Sequence, residues 1–209
     1  MSPTGTEYAP IEAASFCGCE SRFMPILARE SDIFPERLLE PADAGLTASA
    51  PWWALYTLPR REKELMRRLR AWEIPFYSPI IETRKQSPQG RIRKSYVPLF
   101  GGYVFLCGGE EQRYRALTTN CVSRCLVVPD RDRLVEDLRQ IRRLILSNVA
   151  LTPESRIQAG TPVRVRSGSL MGVEGVVVRR QNKERLLVAV RFLQQGASLL
   201  LEDFQVEAI

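Results

Sequence analysis

The sequence predicts an α+β protein: an antiparallel sheet flanked by helices, packed as an α/β sandwich, followed by a small closed β-barrel. Three observations carry this. Between Trp52 and Ile145 the apolar period alternates between two and 3.6. A stretch at 148–158 holds Pro153 and few apolar residues, which marks a linker between two units, 51–147 and 159–209. Beyond Ala159, five short alternating runs are separated by turns rich in Gly and Asn.

The first 50 residues mix Pro, Ala, Ser, Gly and acidic side chains without a sustained period. They read as an acidic leader that stays disordered or forms one weak helix around Pro35–Glu40. Order begins at Trp52, where Trp53, Leu55 and Thr57 alternate with Trp52, Ala54, Tyr56 and Leu58 until Pro59 stops the strand. Leu65, Leu69 and Trp72 then recur at helical spacing among Arg60, Arg61, Lys63, Arg67, Arg68 and Arg70, and Pro75 ends that helix. Phe76–Lys85 reads as a strand, 86–90 as a hairpin loop, and Ile92–Cys107 as a long return bent at Pro98 and Gly101-Gly102. Glu110–Thr118 suits a short helix, Val122–Val128 a strand, and Leu134, Leu138, Ile141 and Ile145 one stripe of a further helix. In the second unit, Val163 and Val165, then Val176–Val178, then Leu186, Val188, Val190 and Phe192, then Ser198–Leu201 and Phe204–Ala208, complete five barrel strands.

Charge is unevenly spread. Residues 1–50 carry 8 acidic and 3 basic side chains, residues 51–148 carry 19 basic and 10 acidic, and residues 149–209 carry 8 basic and 6 acidic. A basic middle points toward a polyanion, most simply nucleic acid. The chain has no histidine, which removes the commonest general base and metal ligand. Cys17, Cys19, Cys107, Cys121 and Cys125 are odd in number, which argues against a closed disulfide framework and for reduced thiols. Cys17-Gly-Cys19 supplies two ligands where structural zinc takes four, so no metal and no cofactor are expected. Cys121 and Cys125 lie on one side of a strand-like stretch and read as packing residues. No apolar run approaches the roughly 20 residues of a membrane helix, and no basic start precedes an apolar segment, so a cytoplasmic location is expected.

Two groups of residues resemble a known family. Trp52-Trp53-Ala54-Leu55-Tyr56, a basic helix, and Pro98-Leu99-Phe100-Gly101-Gly102-Tyr103-Val104-Phe105 resemble the N-terminal domain of NusG/RfaH transcription elongation factors. Gly160-Thr161-Pro162-Val163-Arg164-Val165 with Ser167-Gly168-Ser169-Leu170-Met171-Gly172-Val173-Glu174-Gly175-Val176-Val177 resembles a KOW motif, and the ending 201–207 resembles the close of the same barrel. The resemblance implies an SH3-like KOW barrel and an N-terminal domain that docks on the clamp helices of RNA polymerase. By motif position Tyr56, Phe100, Tyr103 and Phe105 are the matching polymerase-binding residues, and Gly168, Gly172 and Gly175 are the glycines of the KOW motif. It further implies a monomer near the non-template DNA strand, whose barrel recruits a termination factor or a ribosomal protein.

The sequence departs from that pattern at three places. Gly101 stands where family members often carry Pro, Val97 replaces the acidic residue that locks RfaH's domains together, and Gln112-Arg113-Tyr114-Arg115 replaces RfaH's DNA-reading motif. With the leader, these suggest a specialised paralogue with a free barrel. Arg113, Tyr114 and Arg115 offer phosphate contacts and a stacking ring, and Arg84, Lys85, Arg91, Arg93 and Lys94 surround the hairpin loop as further nucleic-acid-facing candidates. A ribosome-associated or RNA-binding KOW protein is the alternative, but a simple ribosomal barrel lacks the Trp52–Val128 half. An enzyme is disfavoured, since acidic residues are scattered and phosphate-loop and dinucleotide spacings are missing.

Overall fold

The computed structural model describes residues 29–40, 50–86, 88, 90, 92–156, 160–180, 183–201 and 205–209. Its first unit is an antiparallel sheet of five strands: β1 (Ile33–Phe34), β2 (Trp52–Thr57), β3 (Phe76–Tyr77), β6 (Tyr103–Cys107) and β7 (Val122–Val127), in the order β1-β3-β6-β2-β7. Strands β4 (Ile80–Gln86) and β5 (Ile92–Pro98) form a separate two-stranded hairpin. The two long strands expected from sequence are therefore each cut in two. Ser78-Pro79 separates β3 from β4, and 99–102 separates β5 from β6, so the chain leaves the main sheet, makes the hairpin and returns.

Strand alternation divides the main sheet into two cores. Trp53, Leu55, Val104, Leu106 and Phe76 face one side. Helix α1 (Glu62–Ala71) covers that side with Leu65, Met66 and Leu69, and helix α2 (Glu110–Leu117) adds Ala116. Helix α1 has Glu62 and Glu64 in its first turn and Arg68 and Arg70 in its last, an order that suits the helix dipole. Trp52, Ala54, Phe105, Cys107 and Tyr77 face the other side and join a second cluster. There the cover is helix α3 (Arg131–Leu146), started by Asp130, whose carboxylate accepts from the Arg133 N–H at 3.0 Å.

The C-terminal unit is built of strands, as its period of two predicts. Strands β8 (Thr152–Glu154), β9 (Thr161–Val165), β10 (Glu174–Arg180), β11 (Lys183–Val190), β12 (Gln195–Leu200) and β13 (Val206–Ala208) form one antiparallel sheet, ordered β13-β9-β10-β11-β12-β8. This corrects the expected closed barrel: among the described residues the sheet is open, with β13 paired to β9 and β8 paired to β12. It also corrects the linker. Thr152–Glu154 lies inside the expected 148–158 connection yet lies along the free edge of β12, where Pro153 is tolerated because an edge strand can spare an N–H.

The leader is corrected too. Ile33 and Phe34 pair with Tyr77 and Phe76, Leu38 and Leu39 are buried, and Arg139 Nε donates to the Leu39 carbonyl at 2.5 Å. Residues 35–40 form turns rather than the expected helix, with Leu38 N–H donating to Pro35 C=O at 3.0 Å. Cys17 and Cys19, and the leader before residue 29, lie outside the described residues.

Two outcomes follow. A chain beginning at residue 50 loses the burial of Ile33, Leu38 and Leu39 and is destabilised by at least about 2 kcal/mol in urea unfolding. Leu138→Ala, at a fully buried position of α3, lowers stability by about 2–5 kcal/mol in the same measurement.

Candidate docking and nucleic-acid interface

The four expected docking aromatics separate into two kinds. Tyr56 on β2 is 40% exposed, and Tyr103, its cross-strand partner on β6, is half-buried. Their rings lie 5.1 Å apart between centroids at 55°, a tilted pair. Phe100 and Phe105 are buried at 2% and 0%, edge-to-face at 6.4 Å, and belong to the core beneath. As they stand, these two present no surface to a partner. Sequence alternation places Tyr103 and Phe105 on one face, but it cannot show that the cover over that face stops between them.

A short turn holds the tyrosine pair in place. Gly102 has φ +82°, and a Cβ there would meet the Tyr56 ring at 2.9 Å, so only glycine leaves the ring where it is. The Gly102 N–H donates to Glu62 Oε1 at 2.8 Å, and its C=O accepts from Thr57 N–H at 2.7 Å. Helix α1 thus anchors the turn from the far side of the sheet. Neighbouring β7 adds two exposed residues that sequence reasoning missed. Arg124 stands opposite Tyr56, and Leu126, 39% exposed, stands opposite Ala54. Cross-strand register brings them into this face, and no local signal in the sequence reveals register.

The nucleic-acid candidates do not form one site. On α2, Tyr114 is 66% exposed. The Arg113 guanidinium lies 5.1 Å from the centroid of the Trp53 ring, and its Nε donates to Glu110 Oε2 at 2.6 Å. Arg115 lies 5.3 Å over the ring of Trp72. Arg113 is therefore held within the fold, while Tyr114 and the exposed Arg115 face outward. On the hairpin, Arg84 and Lys94 stand directly opposite each other, and Glu82 Oε1 accepts from both, at 2.8 Å and 3.4 Å. Lys85 and Arg93 are also opposite in register, and Arg91 lies outside the described residues. Like charges facing across a two-stranded ribbon are unfavourable on their own.

In the C-terminal sheet the turn between β9 and β10 uses Gly168 and Gly172 in left-handed conformations, φ +86° and +82°. Gly172 N–H donates to Val165 C=O at 2.8 Å, which closes the turn. Gly175 serves close approach instead, since a Cβ there would meet the Leu187 carbonyl oxygen at 2.6 Å. These glycines shape the sheet and carry no chemistry of their own.

Cys107 and Cys125 are poorly suited to attack. Burial pushes Cys107 up to about 11 and also raises Cys125, so neither is a thiolate near neutrality. Among the described residues no group of three or more Cys, Asp or Glu side chains is arranged to hold a metal ion, and no helix is long and apolar enough to cross a membrane.

Residues 50–150, from the approach to β2 through α3, match the protein family described as NusG: Transcription termination factor nusG. That span is just under half of the chain and stops before the C-terminal sheet. It is similar to a transcription-factor domain. No curated protein matches the chain.

The split among the aromatics predicts a split in stability. Phe100→Ala and Phe105→Ala each cost about 3–5 kcal/mol in chemical denaturation. Tyr56→Ala, at an exposed site, stays within about 1 kcal/mol of the parent chain.

Proposed function

We propose that the protein is a transcription elongation or antitermination factor, a specialised relative of NusG, that docks on RNA polymerase as a monomer in the cytoplasm. The observation that carries this reading is the pair of exposed Tyr56 and half-buried Tyr103, held by Gly102 and Glu62, within the span that matches the NusG family. Large rigid rings bury much area at low entropic cost, which suits them to anchor an interface. Leu126 extends the apolar face and Arg124 adds a charge at its edge. The clamp helices of the large polymerase subunit are the proposed ligand of this face, with Phe100 and Phe105 supporting it from beneath.

In this reading nucleic acid passes close by. Tyr114 and Arg115 on α2 are the proposed contacts to the non-template DNA strand, with Arg84 and Lys94 on the hairpin as a second basic point. The C-terminal sheet is proposed to act as the SH3-like KOW module that recruits a second factor, a termination factor or a ribosomal protein. The protein is read as a non-enzyme: binding, not bond-making, is its work.

Capture of core polymerase tests the docking face. Tyr56→Ala and Tyr103→Ala, folded by circular dichroism, each weaken capture by about 2–4 kcal/mol if the pair is a hot spot. Capture by both variants undiminished from the parent chain, or copurification of the native protein with ribosomes in place of polymerase, overturns the reading. For the DNA contacts, a photocrosslinker at Tyr114 or Arg84 marks the non-template strand of an assembled elongation complex, and raising salt weakens that part of the binding. Absence of label at both positions removes DNA from the proposal.

A further inference from the structure

We propose that the cleft between the foot of the β4–β5 hairpin and the chain leaving α3 is the docking groove for this chain's own residues 23–28. The docked segment braces the hairpin against the rest of the N-terminal unit. This goes beyond the function proposed above and does not depend on polymerase binding.

The cleft has a volume of about 870 Å³, toward the upper end of the roughly 300–1,000 Å³ usual for binding clefts. The hairpin contributes buried Ile80 and Ile81 and half-buried Tyr96. The end of α3 and the chain after it contribute Ile145, Val149 and Leu151, all half-buried at the margin of the second core. Half-covered apolar side chains on both elements gain from further cover. Among the described residues β4 and β5 pair only with each other. Packing at the foot of the hairpin, and not sheet bonding, therefore decides how it is held.

The described N-terminal segment begins at this cleft. Arg29 is one of the residues that line it, and the positions that follow are tied down. The Arg29 guanidinium pairs with Asp32 at 3.2 Å. Asp32 C=O accepts from Ser78 N–H at 2.7 Å, and its carboxylate accepts from Ile80 N–H at 3.5 Å, so this segment clasps the start of the hairpin. Glu30 accepts two bonds from Arg67 on α1, at 2.7 and 3.1 Å. Further on, Ile33 and Phe34 pair with β3, and Leu38 and Leu39 are buried. The segment thus packs on the N-terminal unit for as far as it is described, and the residue before Arg29 departs from the cleft at a fixed point.

The residues that precede Arg29 are Phe23-Met24-Pro25-Ile26-Leu27-Ala28, six apolar residues in a row. Leaving such a run in water is unfavourable. Pro25 biases Met24 toward an extended backbone, and six extended residues span about 20 Å. The run reaches the cleft with no rearrangement of the residues after it. Charge agrees with this occupant. Arg84 stands in the cleft, Lys94 stands opposite it on the ribbon, and the two share Glu82 as acidic partner. Residues 1–28 carry Glu7, Glu12 and Glu20 against a single Arg22. An acidic leader complements that basic rim, whereas the hairpin of a second copy brings like charge to it. Because Arg84 and Lys94 ride on the hairpin, the docked leader sets where those two charges stand relative to the main sheet.

Photocrosslinking on the full chain tests the groove. A benzophenone side chain placed at Phe23, or at Leu27, is expected to join the leader to residues 80–84, 96 or 145–151 of the same molecule in dilute solution. Crosslinks confined to other regions, crosslinks between two molecules, or no crosslink at all overturn the proposal. Hydrogen exchange read by mass spectrometry gives a second measurement. In the full-length Ile26→Asp, Leu27→Asp double variant, peptides covering 80–84 and 147–151 exchange at least about threefold faster than in the parent. Residues 134–141 of α3 keep their protection there, which shows that the fold survives. Unchanged exchange at both peptides also overturns the proposal. Should 134–141 lose protection as well, the crosslinks from Phe23 and Leu27 decide.

Discussion

The rest of the structure depends on one constraint: the central sheet carries large apolar side chains on both faces and must be covered twice. Trp52 and Trp53 are adjacent in sequence, yet alternation sends them into different cores, each less than 10% exposed. Neither face can be left to water, because each buried aromatic contributes on the order of 2 kcal/mol or more. Helices α1 and α2 cover one face. The other is covered by α3, which carries the C-terminal sheet with it. The short strand β1 and the turn at Leu38 and Leu39 complete that side. The acidic N-terminal segment is thus partly structural.

The candidate docking face is what remains where the second cover stops. Its position follows from the end of the cover more than from any motif, and this explains why Phe105 is core while Tyr103 is half open on the same strand. The turn at Gly102 lets the Tyr56 ring lie over it, and Glu62 ties that turn to a helix on the opposite side of the sheet. A rigid support behind one exposed and one half-buried ring keeps the pair in one geometry, and such preorganisation is what lowers the entropic cost of binding in general.

The basic middle of the chain is also more selective than its charge count implies. Arg61 and Arg68 pair with Glu64, Arg67 with Glu30, and Arg113 with Glu110. Exposed pairs of this kind add little stability, but they reduce the charge available to a polyanion. Of the nucleic-acid candidates, Tyr114 and Arg115 on α2 are exposed, as are Arg84 and Lys94, which stand opposite each other on the hairpin ribbon. Repulsion there is only partly relieved by Glu82.

Local periodicity was enough to place the helices and the main strands, because each needs only an apolar stripe at 3.6 or alternation at two, and Leu65, Leu69, Leu134, Leu138 and Ile141 declare theirs without reference to the rest of the chain. The turn glycines were legible for the same reason, since a left-handed or crowded position admits few other residues. Resemblance in the Trp52–Phe105 stretch pointed to the family that residues 50–150 match. Everything that rests on contacts distant in sequence was decided by the tertiary structure. Ile33–Phe34 becomes a strand only because β3 offers an edge, and Thr152–Glu154 only because β12 does. Phe105 and Tyr103 share an alternation pattern but not a fate, because burial depends on where a covering element ends. Asp137 and Gln140 carry no signal of burial in their residue types, and they become buried acceptors because another sheet brings its N–H groups to meet them. Periodicity is a property of neighbours along the chain, whereas register, cover and docking belong to partners 20 to 100 residues away, as in the Ser78–Tyr103 and Arg139–Leu39 bonds, with separations of 25 and 100.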